Sequence, residues 1–123
     1  MLSPSHNRAY QDFLILLTNF KSFLGNPEEK KANSQIQQKF QELQHWFDKN
    51  VTDLDEQELE KAIASRWQSV QTEIKREFKL LTTDILFLKS ARQQSTQTKR
   101  IQSISDRVTK LIGYCQVMLA NSG

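Results

Sequence analysis

Two histidines and one cysteine are the groups in this 123-residue chain best suited to acid–base, metal or nucleophilic chemistry. His6 falls in the first turn of an N-terminal helix and His45 between the faces of the next. They lie far apart in sequence, with no Cys or carboxylates at zinc-ligand spacing, and a metal site needs convergent ligands. The pattern therefore reads both as surface or edge histidines. A phosphotransfer role for His45 would need support from its flanks, and Leu43-Gln44 and Trp46-Phe47 give none. Cys115 occupies a core-facing position, where a cysteine acts as a small hydrophobe. The acidic run Asp53, Asp55, Glu56, Glu58 and Glu60 lacks the Gly turn and the ligand spacing of a calcium loop. Negative charge at a helix N-terminus explains most of it. With no Gly-rich phosphate loop, Ser–His arrangement or nucleophile elbow, the chain is expected to be non-catalytic and without cofactor or metal.

The more informative residues lie between 79 and 100. Leu80 and Phe87 are one heptad apart, to one side of the helix seam that contains them, and Leu86 falls off the seam on the other side. Lys79, Lys89 and Arg92 surround them, with Lys99 and Arg100 just across the following turn. One reading is that Leu80 and Phe87 widen the buried arc. The other is an apolar patch rimmed by cations, suited to an acidic, partly apolar protein surface. Aromatic residues are not interleaved with the basic ones, and Glu73, Glu77 and Asp84 interrupt them. Neither a helix-turn-helix nor a single-strand stacking platform can be read, which argues against nucleic acid.

The elements that must carry these residues follow from apolar spacing. Leu59, Ile63, Trp67, Val70, Ile74, Phe78, Leu81, Ile85 and Leu88 recur in steps of three and four, the period of a helix face. This predicts a third helix over about 56–92, roughly 55 Å long at 1.5 Å per residue. Asp55 with Glu58 forms a capping-box pattern at its start, and Leu54 with Leu59 a hydrophobic staple. Ser3 before Pro4 predicts a first helix over about 4–24, with Tyr10, Phe13, Leu14, Leu17, Phe20 and Leu24 on one face and Ile15 opposite. Gly25-Asn26-Pro27 ends that helix, with Gly25 suited to a left-handed closing position, and starts a second over about 27–50. Glu29 is placed to complete a capping box with Asn26. Ile36, Phe40, Leu43 and Phe47 form the second helix's apolar face, with Trp46 at its edge.

Ile101, Ile104, Val108, Leu111, Cys115 and Met118 define a fourth helix over about 96–120, with Gly113 on its far side. The expected fold is all-α, one antiparallel up-down-up-down four-helix bundle with a long third helix. The mismatch in length suggests that the 80–100 end projects as a hairpin beyond the first two helices. No apolar run approaches the roughly 18 residues that span a membrane. The polar start and single cysteine place the chain in the cytoplasm. Residues 51–66 carry two positive and five negative charges, and residues 67–123 nine and four. A rod polarised in this way suits an oriented partner.

Several short stretches also resemble a known family. Ala64-Ser65-Arg66, Ser69, Gln71-Thr72-Glu73-Ile74, Leu80-Leu81, Asp84, Phe87-Leu88 and Ala91-Arg92-Gln93 are similar to the central segment of the cyanobacterial PatD family, which controls heterocyst frequency. Ala9-Tyr10-Gln11 and Leu16-Leu17-Thr18-Asn19 resemble its opening helix, and Arg107, Leu111-Ile112 and Tyr114-Cys115 its last. The resemblance implies a small cytoplasmic regulator that associates with the tubulin-like division protein FtsZ and modulates its filament assembly. It supplies no residue-level binding motif. The expected contact residues, Lys79, Leu80, Leu86, Phe87, Lys89, Arg92, Lys99 and Arg100, come from the physical reading alone. The alternative is a self-associating helical scaffold, with the same patch as its homodimer interface or turned to a different partner.

Overall fold

The computed structural model describes residues 3–25, 33–55 and 59–120. They form four helices: α1 (Pro4–Leu24), α2 (Asn33–Asn50), α3 (Lys61–Ser90) and α4 (Gln94–Ala120). No strand occurs among the described residues, and none of the helices is long and apolar enough to cross a membrane. Bonds between helices give their directions. Asn33 Nδ2 donates to the Leu88 carbonyl at 2.7 Å and Gln37 Nε2 to the Ile85 carbonyl at 2.9 Å, so α2 runs against α3. Glu77 meets Arg107 and Asp84 meets Arg100, so α4 also runs against α3. His6 and Tyr10, at the start of α1, reach Asp55 and Gln71, so α1 runs with α3 across the bundle's diagonal. This is the up-down-up-down arrangement that the short turns imply.

The expected faces are the buried ones. Tyr10, Phe13, Leu17 and Phe20 of α1 meet Ile36, Phe40, Leu43 and Phe47 of α2, and Ile74, Phe78, Leu81, Ile85 and Leu88 of α3. Ile104, Val108, Leu111, Cys115 and Met118 of α4 close the core, while Ile15 is exposed as its place on the wheel requires. The two sides of the bundle pack differently. α4, lined by aliphatic and small side chains, lies closest to α1 and α3. Rings hold α2 further away: Phe47 stacks on Phe78 with centroids 4.0 Å apart, and Phe13 lies 5.2 Å from Phe47. Interaxial distance follows the size of the side chains at the contact. Truncating a fully buried leucine such as Leu81 or Leu111 to Ala would cost about 2–5 kcal/mol.

Several expectations about helix ends need correction. The Ser3 side chain does cap α1, accepting from the His6 backbone N–H at 3.2 Å. Gly25, however, has φ −91°, ψ 3°, and simply continues the helical bonding to Lys21 O at 3.0 Å, so no left-handed closure forms. Asn26, Glu29 and the expected opening of the second helix lie outside the described residues, as does Glu58.

The third helix begins at Lys61 rather than 56, and Asp55 is not its cap. The Asp55 carbonyl accepts from His6 Nε2 at 2.7 Å and the Val51 carbonyl from Gln71 Nε2 at 3.0 Å. These tertiary bonds tie the connector to α1 and α3. Glu60 caps instead through its backbone carbonyl, which accepts from Ile63 and Ala64 at 3.0 and 2.8 Å. Leu54 and Leu59 pack on the core, but with the cap at Glu60 they do not flank the helix start as the expected staple would.

At its far end α3 stops at Ser90, leaving Arg92 in the turn, and α4 starts at Gln94 rather than 96. Gln97 Nε2 donates to the Ala91 carbonyl at 2.9 Å and fastens that turn. α3 is thus 30 residues long and α4 27, so these two nearly match, while α1 at 21 stays shorter. Asn33 reaches Leu88, so α2 starts level with the end of α3 and no hairpin projects.

Candidate functional site

Two buried polar clusters and one exposed patch stand out from the apolar core. The first cluster lies at the α1 start. Trp67 Nε1 donates to the Tyr10 hydroxyl at 2.7 Å, Tyr10 donates to Gln71 Oε1 at 2.7 Å, and Gln71 Nε2 donates to the Val51 carbonyl. Burial raises the Tyr10 phenol well above its ordinary range, against the lowering effect of the Trp67 hydrogen bond. His6, expected at the surface, is only 3% exposed. The Asp55 carbonyl can only accept, so Nε2 carries a ring proton, and Ser3 Oγ lies within hydrogen-bond distance of Nδ1. The imidazole meets Trp67 edge-on at 5.3 Å. With both ring nitrogens engaged, it ties α1 to the connector. His45 is exposed, as expected. Cys115 is wholly buried, and desolvation pushes its thiol up to about 12, far from a reactive thiolate.

The second cluster joins α3 to α4. Glu77 and Asp84 are buried, and Arg107 bridges them: Nη1 lies 3.1 Å from Glu77 Oε1, and Nε donates to Asp84 Oδ2. The Asp84 hydrogen bond is the main reason that the guanidinium is held even more firmly protonated than usual. Ser103 Oγ donates to the same Asp84 oxygen at 3.0 Å, and Lys110 Nζ lies 3.9 Å from Glu77. The residue reading places these acids as interruptions among the cations and misses their pairing. A signal for it exists in the sequence. Glu77 and Asp84 are seven residues apart at the seam's edge, and so are Arg100 and Arg107 on the next helix. Two like-spaced pairs of opposite sign on antiparallel neighbours can meet rung by rung.

The exposed patch lies at the α3–α4 end. Phe87 is 47% exposed and Leu86 59%, so neither merely widens the core, whereas Leu80 is half-buried. The helix separates the expected contact residues into two sides. Leu80 and Phe87 share one, and Arg100 joins them from α4, its guanidinium 4.6 Å from the Phe87 ring centroid. Leu86 points about 100° away, with Lys79 and Lys89 nearer to it than to Phe87. Arg92 is in the turn and Lys99 in the second turn of α4, both exposed. Between residues 78 and 105 the chain carries Lys79, Lys89, Arg92, Lys99 and Arg100 against the single acid Asp84. That acid is buried and already partnered. Lys79, Lys89, Arg92 and Lys99 form no ion pair with any described residue. The surface is therefore apolar at two points and cationic around them.

A groove of about 390 Å³ between α1 and α2 is another apolar feature, lined in part by Leu16, Phe20, Phe23, Leu43 and Trp46. Its rim charges are already matched, Lys39 lying 4.0 Å from Glu42. Among the described residues no group of three or more His, Cys, Asp or Glu could hold a metal ion. No protein-family model, no curated protein and no solved structure matches this chain.

Proposed function

We propose that the protein is a non-catalytic binding module that docks on FtsZ and modulates its filament assembly, within the control of cell division and heterocyst frequency. The α3–α4 end forms the contact, through Lys79, Leu80, Leu86, Phe87, Lys89, Arg92, Lys99 and Arg100. One observation carries this reading: Phe87 and Leu86 are exposed on a stretch whose only acid is buried, and Lys79, Lys89, Arg92 and Lys99 on that stretch form no ion pair with any described residue. Such a surface suits an acidic partner with apolar residues of its own. The resemblance to the PatD family supplies the partner's name.

The test is Lys79→Glu combined with Lys89→Glu. Both residues are exposed, so helicity and melting stay unchanged while affinity for purified FtsZ falls about tenfold or more. Undiminished binding by the double variant overturns the assignment of the surface. The exposed Leu86 and Phe87 favour one other reading, a self-associating scaffold in which this apolar patch is its own dimer interface. A monomer that persists at high concentration in sedimentation argues against it.

A further inference from the structure

Arg100 differs from the other cations of the patch. Its guanidinium carbon lies over the Phe87 ring, 4.6 Å from the centroid. Its Nη1 is 3.9 Å from Asp84 Oδ1, too far for a hydrogen bond but close enough to fix the group's position. Asp84 does not need Arg100, because its other oxygen already takes the Arg107 and Ser103 hydrogen bonds. Arg100 donates no side-chain hydrogen bond to any described residue, and its side chain is 39% exposed. The result is a planar cation flanked by Phe87 and Asp84, partly exposed and so open to a ligand. Loss of side-chain freedom, the usual cost of using an arginine in recognition, is already met in the free protein.

Resting on the reading of this end as a partner surface, we propose that Arg100 is its anion-reading residue. It takes a carboxylate of the partner in a two-pronged hydrogen bond while an apolar group next to that carboxylate seats on Phe87 and Leu80. The pairing of an aromatic ring with a partly exposed guanidinium that makes no side-chain hydrogen bond to a described residue fixes the chemistry. A phosphate chain would meet the cations but leave Phe87 and Leu80 facing sugar and water, whereas an acidic residue beside an aromatic or branched one satisfies both. The surrounding Lys79, Lys89, Arg92 and Lys99 add attraction at longer range without geometry, since a flexible ammonium cannot reproduce the planar fork.

Two measurements test this. In the first, N-acetylphenylalanine is titrated into the labelled protein and followed by NMR. The Arg100 Nε–H and Phe87 ring resonances are expected to shift with a millimolar dissociation constant, and the uncharged amide of the same compound to leave them in place. Equal effects of acid and amide, or none from either, overturn the inference. In the second, Arg100→Lys and Arg100→Ala are compared for FtsZ binding. Each is expected to lose at least tenfold in affinity despite the retained charge of lysine. Binding by the lysine variant within twofold of the unchanged protein overturns the role of Arg100 while leaving the FtsZ reading intact. A protein that takes the acid probe at Arg100 but does not bind FtsZ overturns the FtsZ reading and keeps the carboxylate site.

Discussion

Replacing Arg107 by Met tests how much the α3–α4 cluster contributes to the fold. Methionine keeps much of the side chain's bulk and removes the one cation that touches both buried acids. Glu77 is left with Lys110, whose side chain is 65% exposed and whose Nζ is 3.9 Å away. Asp84 keeps the Ser103 hydroxyl and the Arg100 charge at 3.9 Å. Breaking a buried ion pair from one side costs about 3–5 kcal/mol. Arg107 is 26% exposed and water reaches its outer edge, so the expected loss is lower, about 2–4 kcal/mol. Unfolding entropy of about 2.1 cal/mol/K per residue gives roughly 0.26 kcal/mol/K for a chain of this size, so Tm falls by about 8–15 °C. Urea unfolding followed by far-ultraviolet circular dichroism reads the same loss as a shift in midpoint at constant slope. Arg107→Lys recovers only part of it, because one ammonium cannot face both carboxylates with the same geometry. The triple change Glu77→Met, Asp84→Met and Arg107→Met returns stability to within about 1 kcal/mol of the unchanged chain, since apolar residues of similar volume can replace a buried ionic group. A loss below about 0.5 kcal/mol for Arg107→Met would refute the reasoning and show that solvent screens the pair.

Tyr10→Phe removes the acceptor for Trp67 Nε1 and the donor to Gln71 Oε1 in one step, leaving two buried polar groups unmatched. It is expected to cost about 1–3 kcal/mol, read by the urea midpoint, with the aromatic packing unchanged. Alkaline stability follows from Cys115 and Tyr10. Both acids have folded-state pKa values above their ordinary values of 9.0 and 10.0, so the folded chain keeps protons that the unfolded chain releases. Stability is therefore fully present below pH 9 and declines as pH rises towards about 12, with Cys115 ionising first in the unfolded state. In Cys115→Ala the decline is expected to begin about one pH unit later, on comparing the slopes of urea midpoint against pH. An unchanged onset would show that the thiol does not contribute.

Much of the bundle was legible because burial in a helix is written at a fixed period. The seam from Trp67 to Leu88 and the heptad from Ile104 to Met118 are core positions in the structure as in the pattern. The candidate patch was legible in part. Phe87, Leu86 and the cations could be named from the wheel, but whether the apolar pair was covered could not. Helix ends were the weakest reading, because a cap motif states only a local preference. Asp55 with Glu58 promises a start at 56, whereas the helix starts at Lys61 and the Asp55 carbonyl bonds to His6 instead.

By itself, then, the sequence determined four amphipathic helices, their buried faces and a basic stretch with one acid. Only the tertiary structure decided how far each helix slides along its neighbours. That register brings Glu77 and Asp84 to Arg107, buries His6 against Trp67, sets Asn33 level with Leu88 and lays Arg100 on Phe87. Periodicity says which side of a helix turns inward, since each side repeats every 3.6 residues. It is unchanged when one helix shifts along another by a whole turn, so which residue meets which is settled by packing between helices.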